Sequence, residues 1–370
     1  MPALTVEHEV HLTSGTLSLR VERASVPLST LTDFAVRENP KRGFLFVSRV
    51  LGKHIPVAPS VMQASWQQLA KAIGPLTHPH FIGLAETATA LGEGVAHAWQ
   101  ALHRGVNVTF QHTSRYLTNH DVLLRFDEPH SHAPAHLVYD PGAVARAARE
   151  LVLVDDELST GTTLENLARS WLSLHPHVER VVFVSLTDWC PRREAISAAL
   201  AKPTSFVSLV RGSYDFATSP AWNVPTLPAV GGNGEDKSAL LARRSARLGQ
   251  RVDIDVRQVL NAEQVRTSDR VLVLGTGEYQ FPAARLALAL ETRGNRVDFG
   301  ATTRSPILPG FAIQSKLAFA DNVGDGMPNF VYNVVPDAYD HILVAYEGAC
   351  TPDAALLTAL GTRARAVRLS

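Results

Sequence analysis

The sequence predicts an α/β protein of two domains, each built on a parallel sheet flanked by helices. Three observations carry that prediction. An apolar run, Leu151 to Val154, passes through a polar loop into a helix whose apolar positions Leu164, Leu167, Ala168 and Trp171 share one face. A second strand, turn and helix begins at Arg270 to Leu274. Between the two, Ser219 to Asp236 is dense in Pro and Gly and has no periodicity, which marks a boundary. A length of 370 residues exceeds one ordinary domain, and an apolar content of 45% suffices for two cores. The expected division is a domain over 1–218, a linker with a basic helix over 219–250, and a smaller Rossmann-like α/β domain over 251–370.

In chain order, HEVHLTSGTLSLRVER alternates apolar and polar residues around Ser14-Gly15, which predicts a hairpin, read as a small cover rather than core. Asn39-Pro40-Lys41-Arg42-Gly43 then breaks the alternation. The next stretch, GFLFVSRVLGKHIPV, sets Arg49, Lys53 and His54, with Arg42 before them, around an apolar spine. This is either a solvated basic face or a set of cations for an anionic ligand. Pro59 and Ser60 open a helix with Met62, Trp66, Leu69, Ala70 and Ile73 on one side, and Gly74-Pro75 ends it. Phe81 to Leu84 is a strand that runs through Ala85-Glu86-Thr87-Ala88 into the next helix, a βα unit. Val106 to Phe110 is another strand.

The following stretch carries His112, His120, His130, His132 and His136 with Arg115, Arg125, Asp127 and Glu128. Pro129 and Pro134 make it a loop, and no helical HxxxH or CxxC supports a metal site. Beyond the central motif, Arg180 to Leu186, Arg192 to Leu200 and Ser205 to Val210 alternate strand, helix and strand. Asp188 and Trp189 lie past a strand's carboxyl end, as an acceptor contact or as core. KSALLARRSARLGQ reads as a basic helix with a solvated face.

In the C-terminal domain, Gly275-Thr276-Gly277-Glu278 occupies the strand-to-helix turn, with Asp298 about twenty residues later. Gln280 replaces the third glycine of a dinucleotide fingerprint, so a phosphate or carboxylate site is the better reading. Thr302-Thr303-Arg304-Ser305-Pro306 follows the second strand, and hydroxyls flanking an arginine suit an anion. His341 to Ala345 is a strand ending in Tyr346-Glu347-Gly348. Glu278, Arg304 and Glu347 all fall at strand ends, which predicts one shared cleft.

Lys plus Arg equals Asp plus Glu at 35 each, so no basic excess points to nucleic acid. Two distant cysteines, Cys190 and Cys350, exclude a disulfide scaffold and suggest a reducing compartment. The N-terminus has no secretory pattern and no run reaches 18 apolar residues, so a cytoplasmic protein without a membrane partner is expected.

The chemistry concentrates in Asp155 to Thr163. A loop of Ser159, Thr160, Gly161, Thr162 and Thr163 at a helix start offers hydroxyls, free N–H groups and the positive end of the helix dipole, which suit a phosphate dianion. Asp155 and Asp156 would repel phosphate but accept from vicinal hydroxyls, as on a ribose whose 5-phosphate sits in the loop. A plain helix cap explains one of these side chains, not all seven.

At these residues the chain resembles the type I phosphoribosyltransferases, whose signature is a strand, two acidic residues and a small-Thr-Gly-x-Thr loop; Thr162 stands where a second Gly is common. The resemblance implies the type I phosphoribosyltransferase fold for the N-terminal domain. It also implies phosphoribosyl pyrophosphate and Mg²⁺ as ligands, the metal held through the substrate and not by protein side chains directly. Ala85, Glu86 and Thr87 would bind pyrophosphate through an unusual peptide, with Lys53 or Arg42 as cationic help. The histidine-rich interval would be a mobile lid. NPKRGFLFVSRVLGKHIPV looks like the transferase group of tellurite-resistance and stress-response operons. The C-terminal Gly275-Thr276-Gly277-Glu278, Thr303 to Pro306 and Pro328-Asn329-Phe330 look like the TRSP domain fused behind it.

Together these readings imply an enzyme that joins phosphoribose to a nitrogenous, base-like acceptor, in synthesis or salvage of a nucleoside-like compound. Its partners are small molecules, and a homodimer is kept as a candidate assembly. The rivals are a non-catalytic nucleotide sensor and a bifunctional protein whose C-terminal cleft, with Gly275, Gly277, Glu278, Thr303, Arg304, Ser305 and Glu347, carries the main chemistry.

Overall fold

The structure, a computed structural model, describes residues 6–39, 42–126, 136–223 and 234–369. Its larger sheet runs, in spatial order, Val6–Leu12, Gly15–Ala24, Thr204–Thr218, Arg180–Asp188, Glu150–Val154, Pro79–Gly83 and Thr109–His112. The five strands from Thr204–Thr218 to Thr109–His112 are parallel, and the N-terminal pair joins them antiparallel. Every residue of Glu150–Val154 is buried, as a strand flanked on both edges and covered on both faces must be. Helices Pro59–Ile73 and Thr89–Leu102 cover one face, while Thr162–Leu174 and Arg193–Leu200 cover the other.

Two expectations change here. The N-terminal hairpin is no loose cover: Gly15–Ala24 pairs along Thr204–Thr218, and Leu17 and Leu19 are buried in the main core. The strand expected over Ser205 to Val210 extends to Thr218 because that hairpin supplies its partner.

A second sheet orders Arg296–Ala301, Arg270–Gly275, His341–Tyr346 and Ala364–Arg368, all parallel. Its helix Gln280–Thr292 packs on Pro59–Ile73 and Thr89–Leu102 of the first half. Trp66, Val95, Phe281 and Ala284 therefore belong to one buried cluster, with the Trp66 and Phe281 rings 5.9 Å apart. Such an aromatic pair is worth about 0.5–1.5 kcal/mol beyond its buried area. One buried cluster thus spans both halves, and each half also keeps a cluster of its own. Backbone bridges Arg37 to Ile307, Val57 to Phe299 and Leu117 to Asp236 stitch the halves further.

The expected basic helix over KSALLARRSARLGQ does not form. Only a short 3-10 turn, Ala246–Leu248, is present, and Arg247 is 1% exposed rather than solvated. The physical reason is a pair of buried carboxylates that the guanidinium reaches. No helix among the described residues is long and apolar enough to cross a membrane.

Candidate functional site

Both aspartates sit at the carboxyl end of the central strand. Asp155 N–H donates to Val184 O at 3.0 Å, and Asp155 Oδ1 accepts from the Asp156 N–H at 2.9 Å. Asp156 O accepts from Leu186 N at 3.1 Å, after which Glu157–Leu158 pairs with Thr187–Asp188. The neighbouring strand thereby fixes the backbone while both carboxylates stay half-buried. Gly161 follows with φ 76° at the N-cap of Thr162–Leu174. A Cβ there would lie 2.6 Å from Ile196 Cδ1 and 3.1 Å from Cys190 Sγ, so only glycine fits the turn. Thr160 and Thr162 hydroxyls stand 3.1 Å apart, beside half-buried Ser159 and Thr163.

Sequence reasoning missed one cation at this loop. Arg192 Nη1 donates to Thr162 Oγ1 at 3.2 Å and Nη2 to Glu165 at 3.1 Å, thirty residues away in the chain. The available signal was its position just past the strand ending at Asp188. Asp188 itself is buried and bound by Arg193 Nε at 2.7 Å, and Trp189 stacks on Phe46 at 5.0 Å and 13°. Neither offers a free face to an acceptor, so of the two readings of this pair the packing one stands.

The second loop lies at the end of the adjacent strand. The Ala85-Glu86 peptide is cis, and Ala85 N–H donates to Thr113 Oγ1 at 2.9 Å. Lys53 Nζ donates to Thr87 Oγ1. Arg42 does not join this loop: its Nη2 binds Glu157 at 2.7 and 3.1 Å, and its guanidinium lies 4.6 Å from the Phe44 ring centroid. Burial pushes the Glu157 carboxyl above its ordinary value, with Arg42 opposing. The aromatic platform of Phe44, Phe46 and Tyr214 holds the guanidinium on the Asp156 side.

The expected C-terminal cleft is filled. Arg247 binds Glu347 at 2.6 and 2.8 Å and Glu278 at 3.3 Å, and all three are buried. Glu278 also accepts from Ser114 Oγ at 2.7 Å and Arg115 N at 2.6 Å in the other half. Burial alone would raise the Glu347 carboxyl, but Arg247 holds it below its ordinary value. Gly277 has φ 54°, its N–H donates to Thr302 Oγ1 at 3.1 Å, and a Cβ on it would sit 2.9 Å from the Tyr116 hydroxyl oxygen. Tyr116 thus occupies the open side of the Gly275 to Glu278 turn, where a phosphate would have to approach. Arg304 leaves this group: it lies 5.1 Å from the Tyr116 ring centroid and 3.7 Å from Glu86. The Thr303 hydroxyl serves the backbone, accepting from Ser305 N–H at 3.2 Å. Arg247 and Tyr116 went unrecognised in the sequence because nothing local distinguishes a buried arginine from a solvated one.

Of the histidine-rich interval, Val122–Phe126 and His136–Tyr139 form an antiparallel hairpin. Asp127, Glu128, His130 and His132 lie outside the described residues. His136 binds Thr113 Oγ1 at 2.9 Å and stacks on Phe126, while His112 binds Thr113 O at 2.8 Å. Among the described residues, no three His, Cys, Asp or Glu side chains converge as a metal site.

Known proteins resemble both halves. A family described as phosphoribosyl transferase matches residues 31–213, and the TRSP domain that lies C-terminal to that transferase matches residues 240–360. No curated protein matches the chain. Among solved structures, adenine phosphoribosyltransferase from Thermoanaerobacter pseudethanolicus is 18% identical, with 49% of this chain and 95% of that one covered at a TM-score of 0.34. Adenine phosphoribosyl transferase from Trypanosoma brucei is 11% identical over 51% and 82%, with a TM-score of 0.35. Orotate phosphoribosyltransferase from Aeropyrum pernix is 16% identical over 49% and 88%, with a TM-score of 0.31. With its acidic pair and hydroxyl loop at the end of a parallel strand, and its two matched segments in that order, the chain belongs to the phosphoribosyltransferases that carry a C-terminal TRSP domain.

Proposed function

We propose that this enzyme transfers the phosphoribosyl group of phosphoribosyl pyrophosphate to a nitrogenous, base-like acceptor and releases pyrophosphate. The observation that carries the reading is the Asp155-Asp156 pair, held half-buried at the end of the central strand one turn before the left-handed Gly161. In the reaction an acceptor nitrogen forms a bond to ribose C1, the C1–O bond to pyrophosphate breaks, and pyrophosphate leaves with the electron pair. The acceptor nitrogen then gives up its proton to water.

The half-buried carboxylates of Asp155 and Asp156 accept from the ribose hydroxyls and place negative charge near the oxocarbenium-like carbon. Thr160, Thr162, Thr163 and Arg192 hold the 5-phosphate at the helix start, which fixes C1 against the acceptor. The Ala85 to Thr87 loop and Lys53 meet the pyrophosphate. Mg²⁺ would come in on the phosphate oxygens of the substrate, without direct protein ligands, and would offset the leaving group's charge. The TRSP fusion supports a role in making or salvaging a nucleoside-like compound in a stress response. The C-terminal cleft loses weight as a separate reaction centre, since Arg247 and Tyr116 fill it.

The test is pyrophosphate release from phosphoribosyl pyrophosphate and Mg²⁺ across a panel of nitrogen heterocycles. Release that depends on one acceptor class supports transfer. Tight substrate binding with no release for any acceptor would favour the sensor.

A further inference from the structure

Two arginines, Arg247 buried and Arg304 largely so, reach across the junction between the halves, and they behave differently. Arg247 is fully used, with hydrogen bonds to Glu278, Glu347 and Ser245. Arg304 is 12% exposed in its side chain, yet Nε, Nη1 and Nη2 find no hydrogen-bond acceptor in good geometry among the described residues. Its one charge contact is Nε to Glu86 Oε1 at 3.7 Å, with Glu86 11% exposed. An arginine kept for structure makes its hydrogen bonds, because buried donors left unmade are costly. Arg304 instead brings charge to Glu86, with the Tyr116 side chain beside it and Glu278 at longer range. Burial, which alone would lower its pKa, is outweighed by Tyr116, Glu86 and Glu278, so the guanidinium stays charged.

The framework around Arg304 is firm. Thr303 and Phe330 exchange backbone hydrogen bonds at 3.0 and 2.8 Å, and the Tyr332 hydroxyl donates to Ser305 O at 2.7 Å. Another C-terminal strand, Arg296–Ala301, fixes the segment that carries Lys53. Phe299 and Val57 exchange hydrogen bonds at 2.7 and 2.9 Å, and Ala301 N–H donates to Gly52 O at 3.0 Å. Both cations that touch the Ala85 to Thr87 loop are therefore set by strands of the C-terminal half.

The loop has an electrostatic problem that this arrangement solves. Glu86 is a carboxylate in a loop assigned to a highly charged anion, and like charges in a partly desolvated site repel strongly. We infer that the C-terminal half completes the pyrophosphate end of the transferase site, with Arg304 a positioning residue that neutralises Glu86 so that the loop accepts pyrophosphate. The inference rests on the transferase reading above.

The test uses the full chain and calorimetric titration with phosphoribosyl pyrophosphate, inorganic pyrophosphate and ribose 5-phosphate, each with Mg²⁺. Arg304→Gln should weaken both pyrophosphate-bearing ligands at least tenfold and leave ribose 5-phosphate within twofold. Arg304→Lys, which keeps the charge, should stay near the parent protein. Adding Glu86→Gln to Arg304→Gln should recover most of the lost affinity, because the uncompensated charge is then gone. Unchanged pyrophosphate binding in Arg304→Gln, or no recovery in the double variant, overturns the inference. Should Arg304→Gln not fold, Glu86→Gln alone decides: equal or tighter pyrophosphate binding is required, and weaker binding overturns the inference. A parent protein that binds neither phosphoribosyl pyrophosphate nor ribose 5-phosphate overturns the transferase reading itself.

Discussion

The acidic and hydroxyl-rich loop from Asp155 to Thr163 and the network around Tyr116 are built on opposite plans. The loop takes nearly all its parts from nine consecutive residues, Asp155 to Thr163, and leaves its carboxylates half-buried and its hydroxyls reachable. The network draws on Glu86, Ser114, Tyr116, Arg247, Glu278, Arg304 and Glu347, six separated stretches of chain, and buries most of their polar atoms. The first plan suits binding, because water gives way to ligand at small cost. The second suits junctions, because a buried charge holds only while every partner is present. Substitutions in the two regions should accordingly separate stability from binding.

The largest effect is expected at Arg247. Arg247→Met leaves Glu278 and Glu347 buried without their cation and should cost about 3–5 kcal/mol in denaturant unfolding. A cost under about 1 kcal/mol would mean that the network is a bystander of packing.

The acidic pair should show the reverse. Asp155→Asn with Asp156→Asn should leave unfolding of the free protein within about 0.5 kcal/mol, as expected for partly exposed groups. It should abolish stabilisation by phosphoribosyl pyrophosphate with Mg²⁺, which at about a hundred times the dissociation constant amounts to roughly 2.7 kcal/mol in the parent protein. Retention of that stabilisation would move the ribose site elsewhere.

Gly161→Ala tests whether the loop depends on its left-handed turn. It should lose about 1–2 kcal/mol of stability from the positive φ alone, with Ile196 and Cys190 pushed aside, and should weaken ribose 5-phosphate binding in the same titration. Unchanged affinity would show that the hydroxyls and Arg192 suffice without the tight turn.

The smallest effect lies in the helical part of the junction. Glu93, on Thr89–Leu102, is buried 3.8 Å from His97, and burial raises its carboxyl to about 8, with Arg285 and Arg251 opposing. Folding keeps its proton while the unfolded chain releases it from about pH 4.5 upward. Its contribution is therefore intact below that pH and is lost as pH rises toward 8. Glu93→Gln should raise the unfolding midpoint by a few degrees at pH 8 and hardly at all at pH 4.5. Equal shifts at both values would show that the group is charged in the folded protein.

Legibility in the sequence followed the same division. Strand Glu150–Val154, its acidic pair, Gly161 and the helix after them could be read from spacing, because contiguous residues in one βα unit reach the same place in space. The Pro-rich interval is equally visible, yet one buried cluster spans the two sides of it, where Trp66 and Phe281 meet. Arg42 was assigned to the pyrophosphate loop on charge alone, and the fold instead stands it on Phe44 beside Glu157. Arg247 looked like any arginine of a basic stretch.

Local order thus settled the parallel α/β architecture and the turn at Asp155 to Thr163, because hydrophobic periodicity and turn chemistry act over a few residues. Only the folded chain decided which charges meet. Whether an arginine is solvated, paired with Glu157, locked between Glu278 and Glu347 or set against Glu86 depends on partners tens to hundreds of residues away. Coulomb energy responds to distance in space and to burial, and neither is written in the spacing of residues along the chain.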